Sequence, residues 1–418
     1  MTKFRRAGRD DLPAVLSLIE KGFALQGINY NETEGKEHRL LFSYLYSQPQ
    51  WDPERLFLAE RDGRILAAVG FFPQTLFFEE EKIPVWAISP VVTAPEHRGE
   101  GLASTCLLKA LEYLNKFSIP AVFLWGLPTF YPKLGFVPIL PRYKSKLTGK
   151  SCGTGDFSSG RFRECAAADL PSVSALYNLY NEKLWLQPQR NLNWWQQRLG
   201  ETDIESAQIK EVPFPKKENL LVWENKFGEV TGYLNYAVKS AQKVEITEAL
   251  TVDLHSAVSM LECFLPKYIK ADQILIIRGT PLHPLNMAAY RLGGLHFDPA
   301  PLAGMARVID WPLFLKLLTP LFIKRLSIVV PPGKEIRWTW NVKDLVISFC
   351  WGRNNKFKIE LTKNNNFTDI SQETSLTRLL FGLYDSGDLE RFCLSEREQL
   401  QSLFPAKYPF IWDANYLY

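Results

Sequence analysis

The segment of this chain best equipped for chemistry is Val91-Val92-Thr93-Ala94-Pro95-Glu96-His97-Arg98-Gly99-Glu100-Gly101-Leu102-Ala103-Ser104. An apolar run of strand length passes here through a glycine-bearing turn into residues that read at helical period. Backbone N–H groups at a helix start, with the positive end of its dipole, favour an anion, and glycine lets a phosphate approach the main chain. Arg98 adds a fixed positive charge at the same turn. Two glycines alone would suit any surface turn. The strand before and the helix after are what favour a phosphate cradle. The dinucleotide fingerprint G-x-G-x-x-G and the phosphate loop G-x-x-x-x-G-K-[ST] are both missing, which disfavours cofactors of those two kinds.

A second segment follows in Gly126-Leu127-Pro128-Thr129-Phe130-Tyr131-Pro132-Lys133-Leu134-Gly135-Phe136. With Arg98-x-x-Gly101-x-Ala103 ahead of it, the pair resembles the [QR]-x-x-G-x-[GA] and F-Y-x-x-L-G-F motifs of the GNAT superfamily of acyl-CoA-dependent acyltransferases. The resemblance implies acetyl-CoA as co-substrate, no metal, and direct transfer of acetyl to a primary amine in a ternary complex. It places Val91, Val92 and Thr93 beside the acetyl and pantetheine arm, on a strand that splays from its neighbour. Gly99, Glu100, Gly101, Leu102, Ala103 and Ser104 would then offer N–H groups to the pyrophosphate, with Gly126 and Leu127 on the far side. Tyr131 is the candidate acid. A phenol with a reference pKa near 10 keeps its proton at pH 7 and can pass it to a departing thiolate. The plainer reading makes Tyr131 an aromatic that closes the core. His97 reads as a solvated cap.

These residues need a scaffold, and the chain announces one twice. Phe4-Arg5, Asp11-Leu12-Pro13, Val15 and Leu18 return 158 residues later as Phe162-Arg163, Asp169-Leu170-Pro171, Val173 and Leu176. Each copy reads as a short strand, an Asp at a helix start, Pro early in the helix and an amphipathic helix. In the first copy residues 64–72 and 85–92 are apolar runs of strand length, and 102–117 has helical period. Strands alternating with helices imply α/β units. The polar Gly/Ser-rich stretch 151–160 separates the copies. The expected division is a catalytic unit at 1–150, a second GNAT-like unit at 161–306 and an α+β unit at 307–418, where strands such as 335–340 and 345–349 begin. The second copy's matching stretch, 244–254, has no glycine and no arginine like Arg98, so it is expected not to bind coenzyme A. Tyr290-Arg291-Leu292-Gly293-Gly294 echoes Tyr131 to Gly135 only as inherited geometry.

A degenerate second copy followed by an α+β unit resembling the sterol-carrier-protein (SCP) fold is similar to the Eis-like branch of the superfamily. That resemblance implies a homo-oligomer such as a hexamer, acceptors among polyamine-like or aminoglycoside-like molecules or lysine side chains, and a general base supplied by a terminal carboxylate, here that of Tyr418, the alternative being an acidic side chain of the first unit acting through water. The aromatic-rich stretch 403–418 is expected to be docked.

Composition bounds the rest. A chain of 418 residues exceeds one ordinary domain of about 100–200. Its 46% hydrophobic and 22% charged residues suit a folded chain, and its net charge of +4 is too dilute for a nucleic-acid surface. Without an apolar stretch of about 20 residues or a secretory leader, a cytoplasmic protein is expected, with no membrane partner. The six scattered cysteines read as buried free thiols. The competing functional reading is a non-catalytic acyl-CoA- or lipid-binding protein.

Overall fold

The computed structural model describes residues 1–26, 29–47, 51–148, 159–181, 185–199, 220–297, 304–354, 356–363 and 370–407. The separating stretch expected at 151–160 therefore lies mostly outside the described residues.

The repeat has a physical cause. Arg5 makes a two-pronged contact with Asp11, at 2.7 and 2.8 Å, and a third bond at 2.6 Å to Glu60 on the neighbouring strand. Arg163 does the same with Asp169, at 2.6 and 2.8 Å, and with Glu224 at 2.6 Å. Each aspartate also accepts a backbone N–H just before the helix, from Gly8 or Ala166. One strand-to-helix corner is thus locked twice by the same charge-assisted bonds. Pro13 sits in the first turn of the helix Leu12–Ala24, where a missing N–H costs nothing.

The first sheet runs, in order, Lys3–Arg6, Leu56–Arg61, Arg64–Phe78, Glu81–Thr93, Ala121–Trp125, Gly304–Val308 and Val137–Leu140, with Trp185–Pro188 pairing onto Arg64–Phe78. Helices Leu12–Ala24 and Glu32–Ser47 cover one face through Val15, Leu18, Ile19, Leu41, Phe42 and Leu45. The other face carries helix Leu102–Leu114, which buries Leu102, Cys106, Leu107, Ala110, Leu111 and Leu114. That is one stripe at helical spacing, and each large apolar residue in it stabilises the packing by about 1.5–3 kcal/mol.

The second sheet runs Gly160–Glu164, Leu220–Asn225, Val230–Ser240, Lys243–Thr251, Ile274–Arg278, Lys144–Thr148 and Leu295–Phe297. Its sixth strand belongs to the first copy in sequence, just as Gly304–Val308 in the first sheet belongs to the second. The copies exchange their last strands. Gly304–Val308 pairs antiparallel with Ala121–Trp125 on one side and with Val137–Leu140 on the other. Lys144–Thr148 pairs likewise with Ile274–Arg278 and Leu295–Phe297. Divisions at 150 and 306 therefore follow the sequence repeat and not the hydrogen-bonded sheets.

The last unit packs helices Trp311–Val329, Ile370–Leu380 and Leu394–Leu403 on the antiparallel strands Ile336–Val342, Leu345–Trp351 and Phe357–Lys363. Its buried Trp338, Trp340, Phe349 and Phe404 share one continuous core with the first unit, and Phe314 meets Phe78 edge-on at 5.7 Å. Among the described residues, no helix is long and apolar enough to cross a membrane. Cys106, Cys165 and Cys350 are buried as expected, whereas Cys263 is half-buried and Cys393 is exposed.

Candidate active site

The site is opened by a break in strand pairing. Glu81–Thr93 runs parallel to Ala121–Trp125 at only three positions, Val85 with Ala121, Trp86 with Val122 and Ala87 with Phe123. On its other side the same strand stays paired to its end, through Val69 with Val91, Ala68 with Val92 and Ala67 with Thr93. Past Ala87 and Phe123 no ladder pair joins these two strands, so among the described residues Val91, Val92 and Thr93 are paired on one side only.

Beyond Thr93 the chain turns through Gly99 (φ 86°) and Gly101 (φ 76°) into helix Leu102–Leu114. Both glycines occupy the left-handed region that a side chain disfavours. No side chain caps the helix start, so the first-turn amides of Leu102, Ala103 and Ser104 face outward. A Cβ built on Gly99 or Gly101 would meet no atom within 4 Å. The second copy makes the opposite choice, because Asp253 caps helix Leu254–Tyr268 by accepting the Ser256 N–H at 2.7 Å. A carboxylate of the chain already fills the anion position there.

Two charged residues of the cradle behave differently from expectation. Arg98 donates from Nη2 to the Gly22 carbonyl at 2.6 Å, near the end of helix Leu12–Ala24, so part of its donor set ties helix to turn. Glu100 is held by Arg61 and by His97 Nδ1, each at 2.7 Å, and these partners keep its carboxyl below the ordinary range. His97 is thus a partner of Glu100 and not merely a solvated cap. Arg98→Ala is expected to weaken acetyl-CoA binding by about tenfold or somewhat more, the loss of one charge-assisted contact, with the amides left in place. Isothermal calorimetry reads this directly, and an unchanged affinity would confine Arg98 to the Gly22 contact.

Tyr131 stands in the single turn Tyr131–Leu134. Its ring meets Phe130 edge-on at 4.8 Å and Phe136 at 5.9 Å. A Cβ on Gly126 would stand 2.0 Å from Cε2 and 2.9 Å from Cζ, so the phenol-bearing half of the ring lies directly on the Gly126 backbone. Gly126 immediately follows strand Ala121–Trp125, so the phenol lies at the end of that strand. Only 7% of Tyr131 is exposed, and burial pushes its pKa well above the usual phenol value. Leu127 beside it is largely exposed. In the second copy Tyr290 is two-thirds exposed and lies beside His296, so the echo of Tyr131 brings no phenol to a site.

Leu102 and Tyr131 lie in one hydrophobic core with Val91 at its edge, and the Tyr131 ring lies against Gly126. Tyr418, expected as the base, lies outside the described residues. What sequence reasoning missed is Arg307, which donates to the Leu134 carbonyl at 2.7 Å.

The acetyltransferase (GNAT) domain model matches residues 3–139. An uncharacterized N-acetyltransferase of Archaeoglobus fulgidus is 31% identical over 126 residues, 29% of this chain and 80% of that protein. The chain belongs to the GNAT family of N-acetyltransferases. It spans about half of another relative, the uncharacterized N-acetyltransferase YjhQ of Escherichia coli (27% identity over 86 residues, 21% of this chain and 48% of that protein). Over nearly full length its fold is similar to a probable N-acyltransferase of Enterococcus faecalis (TM-score 0.70, 17% identity, 99% of each chain). It is also similar to Eis1 of Mycobacterium abscessus (TM-score 0.59, 12% identity, 98% of this chain and 99% of that one).

Proposed function

We propose that this chain transfers the acetyl group of acetyl-CoA to a primary amine, by direct attack of the amine in a ternary complex. What supports the reading is that the uncapped start of helix Leu102–Leu114 and the ring of Tyr131 belong to one core, beside a strand whose ladder to Ala121–Trp125 ends at Ala87. The bound thioester supplies an electrophilic carbonyl and a thiolate leaving group. The amides hold the pyrophosphate and the unpaired main chain orients the acyl arm; as the C–N bond forms and the C–S bond breaks, Tyr131 gives its proton to the sulfur, the nitrogen loses a proton to water, and water reprotonates the Tyr131 phenolate. We assign the acceptor to the class of primary amines presented by polyamines, aminoglycosides or lysine side chains. We also assign the chain to an Eis-like arrangement in which the last unit is SCP-like and the protein self-associates.

The test is thiol release from acetyl-CoA against a panel holding a polyamine, an aminoglycoside and a lysine-containing peptide. Release that depends on both acetyl-CoA and one of the amines is expected. Binding of acetyl-CoA without turnover on every amine would instead establish a non-catalytic acyl-CoA-binding protein.

A further inference from the structure

The exchanged strand Gly304–Val308 does more than complete the first sheet. It lies between Ala121–Trp125, which leads into Gly126, and Val137–Leu140, which leaves the Tyr131 turn. From it Arg307 reaches over that turn and donates from Nη1 to the Leu134 carbonyl at 2.7 Å. Leu134 ends a single turn of 3₁₀ helix, where carbonyls lack a partner within the helix and attract positive charge. Gly135 then closes the turn at φ 79°, and a Cβ there would stand 3.5 Å from Arg307 Nε, so the guanidinium is seated against both residues. Burial lowers the pKa of Arg307, an effect partly offset by the carboxylate of Glu373 on helix Ile370–Leu380 from the last unit, and Lys343 lies 3.5 Å from the same carboxylate. Three units of the chain therefore meet beneath the turn that carries Tyr131.

We propose that Arg307 is a positioning residue for acetyl transfer: by holding the Leu134 carbonyl it fixes the Tyr131 turn, and with it the phenol, against the Gly126 backbone. The second copy, whose own anion position is filled by Asp253, thereby contributes to the first copy's chemistry. The proposal rests on the reading of Tyr131 as the acid. A phenol displaced by about 1 Å from its working geometry loses up to roughly 10²-fold in rate while binding is spared.

The experiment compares full-length wild type, Arg307→Met, Tyr131→Phe and the double variant by steady-state kinetics, with thermal melting to establish folding. For Arg307→Met we expect kcat to fall about 10- to 100-fold with KM for acetyl-CoA nearly unchanged. Arg307→Lys, which keeps a cation and an N–H donor, is expected to recover most of that loss. In the double variant kcat should be no lower than in Tyr131→Phe alone, since a misplaced phenol and an absent one are equivalent. A slow Tyr131→Phe beside an unimpaired Arg307→Met, or losses that multiply in the double variant, would overturn the proposal while leaving Tyr131 as the acid. A fully active Tyr131→Phe overturns the acid and the proposal together. Should Arg307→Met fail to fold, Arg307→Lys in the same cycle decides by the same criterion, with an expected loss of about two- to fivefold.

Discussion

Tyr131→Phe is expected to lower the turnover of amine acetylation by roughly 10²-fold or more while acetyl-CoA affinity stays near that of the wild type. The substitution removes one oxygen and keeps the ring, so the packing against Gly126, Phe130 and Phe136 survives. Only the proton donor is lost. Burial holds the phenol pKa well above its ordinary value, so the neutral form required of an acid persists through neutral pH and beyond the usual phenol range. Because the acid form is lost only above that raised pKa, wild-type kcat should show no alkaline fall due to Tyr131 between about pH 7 and 10. Stopped thiol-release assays across pH, with calorimetric titration of acetyl-CoA, measure both parts. Equal losses in affinity and rate would return Tyr131 to a packing role.

Gly101→Glu is expected to cost acetyl-CoA affinity on the order of 100-fold or more, against a small change in folding stability. The two effects separate because the causes do. Nothing lies within 4 Å of a Cβ at Gly101, so the fold bears only the cost of a side chain at φ 76°, about 1–2 kcal/mol. The pyrophosphate meets both bulk and negative charge where it should receive backbone N–H groups, and losing two charged hydrogen bonds of about 1.5–3 kcal/mol each already exceeds a hundredfold. Gly101→Ala supplies the control, since it carries the backbone cost without the charge and should bind in between. Wild-type affinity in a folded Gly101→Glu would remove the cradle from residues 99–104.

Much of this was readable in the chain because its physics is local. A glycine turn between an apolar run and a helical stretch signals its own backbone conformation, and Gly99 and Gly101 do adopt positive φ at the helix start. The repeated Phe-Arg and Asp-Leu-Pro fragments stand for corners closed within a few residues, where Arg5 finds Asp11 and Arg163 finds Asp169. Residues 244–254 hold no glycine, and it is the structure that shows Asp253 capping the helix which follows them.

Tertiary structure decided what depends on distant backbone. A sheet ladder joins N–H to C=O and is nearly blind to side chains, so a strand of suitable length and pattern can enter either copy's sheet. The exchange of Lys144–Thr148 for Gly304–Val308 consequently left no mark at the sequence boundaries. Arg98 offered a charge to any acceptor in reach, and only packing placed the Gly22 carbonyl beside it. The Tyr131 motif specified a turn and an aromatic ring by itself. Which arginine would hold that turn was set by a strand 173 residues further along, because a hydrogen bond between such distant partners imposes no spacing on the sequence between them.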